Sequence, residues 1–218
     1  MESIVIKTLI IALFLAHWWM MIFAKGKLGT SQKDRSFDPL YSSASAMLAF
    51  ASIFMLHCLG IARSFLLLDN QWPPLALSTQ SWGAFLIRVL DQTTIRPNFA
   101  IITLAVLTFG LGFSLRLWAI RTLGRLFTFE IGIRPEHRII EEGPYRTLRH
   151  PSYTGYLGMA LGMGLISSSW LFLGLVLTGV VLFFVVRIYS EEKMLLQHFG
   201  PAYREYQSRT KKLIPYLF

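Results

Sequence analysis

The feature that most constrains this sequence is a series of apolar runs, long or nearly long enough to cross a bilayer, separated by segments rich in Lys and Arg. A helix needs about 20 mostly apolar residues to traverse the hydrocarbon, and a soluble fold has nowhere to bury several of them. Five spans are expected: Ile4 to Phe23, Ser43 to Leu68, Asn98 to Ile120, Ser152 to Ser167 and Trp170 to Val186. The last two are short and separated only by the end of the Ser167-Ser168-Ser169 triplet, which predicts a tight helical hairpin. The first run has the position of a signal peptide, but it is long and no small-x-small cleavage site follows it, so it reads as a span. Ser81 to Asp91 is too short to cross and reads as an amphipathic helix lying along the interface. The expected fold class is therefore an all-α, polytopic integral membrane protein, one membrane domain over residues 1–218. Only 15% of its residues are charged, against about a quarter in an average soluble domain.

The charges that remain fix an orientation. The segment from Phe23 to Ser43 holds four Lys and Arg, that from Arg121 to Pro151 six, and the tail from Arg187 onward six, whereas Asp69 to Pro97 holds two. With five spans the three basic segments share one face, which the positive-inside rule makes cytoplasmic. Basic residues placed between apolar blocks match a membrane surface rather than nucleic acid. A single cysteine, Cys58, excludes an internal disulfide and a cysteine-based zinc site. His17 and His57 stand in apolar spans without a second ligand at metal spacing and read as packing residues, so no metal is expected.

Unusual residues concentrate at the cytoplasmic ends of the last two spans. Gly143-Pro144-Tyr145-Arg146 leads into Arg149-His150-Pro151-Ser152-Tyr153-Thr154-Gly155. Pro151 suits a first helical turn, which places His150 beside the positive end of a helix, where anions are favoured. A basic cap with a helix-starting proline accounts for the same residues, so both readings stay open. Gly158 and Gly162 form a G-x-x-x-G that favours close helix packing; a ligand slot is the alternative. Arg187 and Glu191 lie four apart, either as an ordinary ion pair or as a pair that handles a polar ligand where the helix leaves the bilayer. Arg116, one turn from the end of its span, either snorkels to the interface or holds an anion in a cavity open to the cytoplasm. The tail from Ser190 to Thr210 is expected to be helical, with a break at Gly200-Pro201. No soluble dinucleotide, hydrolase or zincin signature is present.

The block HRIIEEGPYRTLRHPSYTGYLG, followed after the hairpin by RIYSEEKMLLQHFGPAYREYQSRTKKLIPYLF, resembles the isoprenylcysteine carboxyl methyltransferase family. The resemblance runs from about Arg116 to the C-terminus, although RHPxYxG by itself also occurs in related membrane methyltransferases and sterol reductases. It implies methylation of the C-terminal carboxylate of a prenylated cysteine with S-adenosylmethionine, on membrane-associated proteins such as small GTPases. It makes 98–218 the catalytic region and 1–97 the N-terminal spans and interfacial segment. It carries cofactor contacts to His137, Arg138, Ile139 and Ile140 (a short strand-like segment), to Tyr145, to His150, Pro151, Ser152 and Tyr153, and to Glu191. Arg187 matches a substrate-binding arginine and Arg116 a second one; Arg187, Glu191 and His150 form the expected catalytic group. The sequence departs at Leu126-Phe127-Thr128-Phe129-Glu130, where many members carry Asn-Phe-x-His followed by Gln. In a eukaryote the family implies the endoplasmic reticulum membrane, with the site facing the cytosol. The rival readings are a membrane methyltransferase acting on a phospholipid amine, a sterol reductase and a non-catalytic scaffold.

Overall fold

The computed structural model describes residues 8, 11–13, 15–17, 19, 98–128, 131–133, 136–166 and 169–214. The second expected span, the interfacial segment 81–91, most of the first span and Glu130 fall outside them. The described residues between 8 and 19 are all helical, and Leu13 and Ala16 among them pack on the core. The remaining described chain forms α1 (Phe99–Leu123), α2 (Pro151–Ile166), α3 (Trp170–Phe199) and α4 (Pro201–Arg209). Short 3-10 turns at Gly124–Leu126 and Gly143–Arg146 interrupt the connection from α1 to α2.

Local chemistry sets these boundaries. The Asn98 side chain accepts the Ile101 N–H at 2.9 Å, capping the start of α1, and Gly124 ends it at φ 54°. Ser169 accepts from the Phe172 N–H at 3.4 Å and starts α3. Gly200 closes α3 at φ 53°, and Pro201, which needs no N–H in a first turn, opens α4 at once. The fifth apolar run does not stop at Val186: its helix continues to Phe199, and the extension carries Arg187, Glu191 and Glu192 beyond the apolar segment.

Among the described residues, α1 and α3 are long and apolar enough to cross a membrane. At 25 and 30 residues they measure about 37 and 45 Å, against a hydrocarbon core of about 30 Å. The 16 residues of α2 reach only about 24 Å, so it serves as the inner arm of the hairpin, and most of its surface is covered by protein. Phe99, Leu104, Leu107 and Leu111 on α1, and Leu175, Val181, Leu182 and Val185 on α3, are exposed, a surface suited to lipid rather than water.

Glycines bring α1 and α2 together. A Cβ on Gly112 would lie 2.5 Å from the Gly155 carbonyl oxygen, one on Gly155 2.6 Å from that of Gly112, and one on Gly162 2.6 Å from that of Ala105. The backbones therefore touch along this face, and the α1 backbone fills the space beside Gly158 and Gly162. The packing reading of the glycine stripe holds, and the ligand-slot reading falls. Gly155→Ala should lower stability by about 1–3 kcal/mol through backbone overpacking. Gly110→Ala, with nothing within 4 Å of its added Cβ, should cost nothing or stabilise slightly. Thermal unfolding of the two variants in detergent checks the contrast.

Candidate active site

The site forms where the tail beyond α3 is laid against the entry to α2. Leu148 and Lys211 form an isolated parallel bridge. Lys211 N–H donates to the Thr147 carbonyl at 2.9 Å, and the Arg149 and His150 N–H groups donate to the carbonyls of Lys211 and Lys212 at 2.7 and 3.1 Å. Thr154 Oγ1 donates to the Leu213 carbonyl at 2.6 Å. The Tyr206 hydroxyl donates to the Tyr145 carbonyl at 2.8 Å and reaches that of Leu148 at 3.4 Å. Burial pushes the phenols of Tyr145, Tyr203 and Tyr206 up, and nearby carboxylates (Glu191 for Tyr145, Glu192 for Tyr203) push further. All three stay protonated at neutral pH, so Tyr206 remains a donor.

Between this seam and the ends of α1 and α3 lies one cavity. It is lined by Arg116, His137, Arg138, Ile139, Ile140, Tyr145, His150, Ser152, Tyr153, Arg187 and Glu191, which is every residue expected at the site except Pro151. Pro151 is fully buried as the first residue of α2, so it sets the helix start rather than the wall. Residues 137–140 line the cavity as irregular chain, not as a strand. Phe127, Phe184, Met194 and Phe199 supply apolar wall.

Tyr153 organises the polar end. Its hydroxyl donates to Glu191 Oε2 at 2.6 Å and accepts from Arg187 Nε at 2.8 Å, so it bridges the two residues that stand four apart on one face of the helix. Its ring is held between His150, with centroids 5.4 Å apart and planes 7° apart, and Phe184, at 4.5 Å and 19°. Arg187 is only 5% exposed and its guanidinium stands 5.9 Å from the Tyr153 ring centre. Arg116 is 3% exposed, which rules out snorkelling. It donates from Nη1 to the carbonyl and hydroxyl oxygens of Ser152, each at 3.0 Å, and lies 5.2 Å from the Tyr156 ring centre. Its Nε has no hydrogen-bond partner among the described residues. Two buried guanidiniums lining one cavity favour an anionic ligand.

The sequence reading did not single out Arg149, Glu192 or Tyr206. Arg149 Nε donates to Glu192 Oε1 at 2.7 Å, and its Nη1 reaches the carbonyls of Gln207 and Thr210. The signal was the second of two adjacent acids, Glu191-Glu192: neighbours on a helix point about 100° apart, so the second had to face something else.

The fold is one that a membrane enzyme has been seen to adopt. The solved structure of the eukaryotic intramembrane Ras methyltransferase ICMT matches with a TM-score of 0.51 at 22% identity, over 79% of this chain and 68% of that one. Residues 102–197 match the model of the isoprenylcysteine carboxyl methyltransferase (ICMT) family. Protein-S-isoprenylcysteine O-methyltransferase B of Arabidopsis thaliana is 39% identical over 109 residues, 49% of this chain and 55% of that protein. The Tribolium castaneum protein-S-isoprenylcysteine O-methyltransferase is 30% identical over 142 residues, 64% of this chain and 50% of that protein. The chain thus spans about half the length of the curated relatives it matches.

Replacing Tyr206 with Phe leaves the Tyr145 carbonyl without its hydroxyl partner and should cost about 1 kcal/mol of stability. Urea or thermal unfolding of Tyr206→Phe beside wild type measures it.

Proposed function

We propose that this protein transfers a methyl group to the C-terminal carboxylate of a prenylated cysteine at the membrane–cytosol boundary. The observation that carries the reading is the Arg187–Tyr153–Glu191 chain of hydrogen bonds, which ties an anion-holding arginine to an acid suited to a cationic ligand inside one cavity. The names of the relatives and the family match support the same substrate class.

The chemistry suits the residues. A carboxylate is already ionised at neutral pH, so its attack needs no general base. Arg187, fixed through Nε by Tyr153, holds the carboxylate by directed hydrogen bonds and supplies alignment. Arg116, lining the same cavity, serves as a second anchor for that group. S-adenosylmethionine, when bound, supplies the electrophilic methyl group. Its polar and cationic character fits the His150, Tyr153 and Glu191 side of the cavity, where an acceptor-rich edge meets an aromatic face. His137, Arg138, Ile139, Ile140, Tyr145 and Ser152 complete that side. The prenyl chain partitions into lipid, so a cavity opened at the end of α1 and α3 receives it from the bilayer while the donor arrives from the basic aqueous face. The chain accordingly sits in the membrane with five spans, its basic segments and this site toward the cytosol, and in a eukaryote in the endoplasmic reticulum. Its protein substrates are prenylated, membrane-associated chains of the small-GTPase kind.

The direct test incubates the purified protein with labelled S-adenosylmethionine and N-acetyl-farnesylcysteine. The expected product is a base-labile methyl ester; an alkali-stable product means N-methylation and overturns the substrate assignment. Arg187→Ala should lower kcat/KM for the prenylcysteine by a factor equivalent to about 2–5 kcal/mol of transition-state stabilisation, as for loss of a buried charge partner, with donor binding little changed. Glu191→Ala should do the reverse. Equal losses in both assays mean that the two roles are misassigned.

A further inference from the structure

Glu191 and Glu192 are neighbours on α3 with different surroundings. Glu191 lines the cavity, whereas Glu192 stands behind its wall, 8% exposed. Glu192 nonetheless touches two residues that do line it: Oε1 accepts from Arg149 Nε at 2.7 Å and lies 3.2 Å from His150 Nε2. Oε2 accepts from Gln207 Nε2 at 3.3 Å, with Lys212 Nζ at 4.0 Å. A carboxylate can only accept, so His150 Nε2 must carry a hydrogen. The Arg149 guanidinium supplies a positive partner for that same oxygen, so a single imidazole hydrogen, on Nε2, suffices for the bond. His150 Nδ1 then keeps its lone pair. It faces Glu191 Oε1 at 4.0 Å, and the other oxygen of Glu191 is already bonded to the Tyr153 hydroxyl. The near-parallel stack on Tyr153 fixes the plane of the imidazole.

We infer that Glu192 is a positioning residue of the methyl-donor subsite: by holding the imidazole hydrogen on Nε2, it presents His150 Nδ1 and Glu191 Oε1 as a facing pair of acceptors for the ammonium group of an amino-acid-bearing methyl donor. Two acceptors that face each other across this gap repel when nothing lies between them. An ammonium group has three N–H donors and satisfies both at once. The inference rests on the reading of the cavity as a methyltransferase site, and it gives His150 a role through a residue that does not line the cavity.

The test uses the full chain in lipid nanodiscs, labelled with nitrogen-15 histidine, with S-adenosylhomocysteine as the probe. The His150 resonances are assigned against His150→Gln. Wild type should show hydrogen on Nε2 and none on Nδ1, and the Nδ1 resonance should move when the probe binds. The amide of Glu192→Gln can donate as well as accept, so the two tautomers should mix and the Kd for the probe should rise about tenfold, a change of about 1.4 kcal/mol. Gln207→Ala breaks only the bond to the other oxygen and should leave the tautomer and the Kd as in wild type. Hydrogen on Nδ1 in wild type overturns the inference even if Glu192→Gln fails to fold. An unchanged Kd in Glu192→Gln, or equal weakening in Gln207→Ala, also overturns it, the latter because general loosening of the tail would then explain the loss. A wild type that shows the Nε2 form yet binds no probe overturns the methyltransferase reading and, with it, the ammonium pair.

Discussion

The cavity depends on one seam, in which residues 147–150 run beside 210–213. The backbone bonds there satisfy groups of the segment leading into α2, among them the His150 N–H just ahead of the first turn, which has no intrahelical partner. Arg149 secures the same seam from the side, reaching Glu192 on α3 and two carbonyls of the tail. Because α3 and α4 are joined at Gly200-Pro201 without slack, fastening the tail at α2 also fixes the end of α3 that carries Arg187 and Glu191. The seam thus converts two segments remote in sequence into opposite walls of one site.

A second constraint comes from the surroundings. Buried charge at the edge of a bilayer is costly unless it is paired or hydrogen-bonded. Arg187 meets that condition through Tyr153, and Arg116 through Ser152 and the face of Tyr156. The glycine contact of α1 with α2 is what brings Arg116 into reach of Ser152, since a Cβ on Gly155 would also lie 2.8 Å from the Cβ of Arg116. Close helix packing and the placement of a buried cation are therefore one structural fact.

What could be read in the sequence was what short-range chemistry decides. Pro151 and Gly200-Pro201 mark their helix boundaries by the missing proline N–H, and α2, α3 and α4 begin or end there, while α1 and α3 start beside the expected span edges at Asn98 and Trp170. The residues expected at the site by resemblance gather around one cavity, apart from Pro151, whose local role in starting α2 leaves it off the wall. What escaped was tertiary. Tyr206 bonds a carbonyl 61 residues away and Glu192 an arginine 43 away, and no periodicity announces such pairings. Gly158 and Gly162 announced close packing, but nothing local named the α1 backbone at Gly112 as the surface they meet. Arg116 read first as a snorkelling residue, with the cavity role as the alternative, until its burial decided against the first reading.

Both segments enclose a single pocket able to hold one small ligand. Hydrogen–deuterium exchange of the full chain in nanodiscs, with and without S-adenosylhomocysteine, addresses it most directly. Slowed exchange is expected together in 137–150 and in the stretch from Arg187 to Tyr206, at the same ligand concentration. Protection confined to one of these segments, or arising in the two at different concentrations, would contradict a shared pocket.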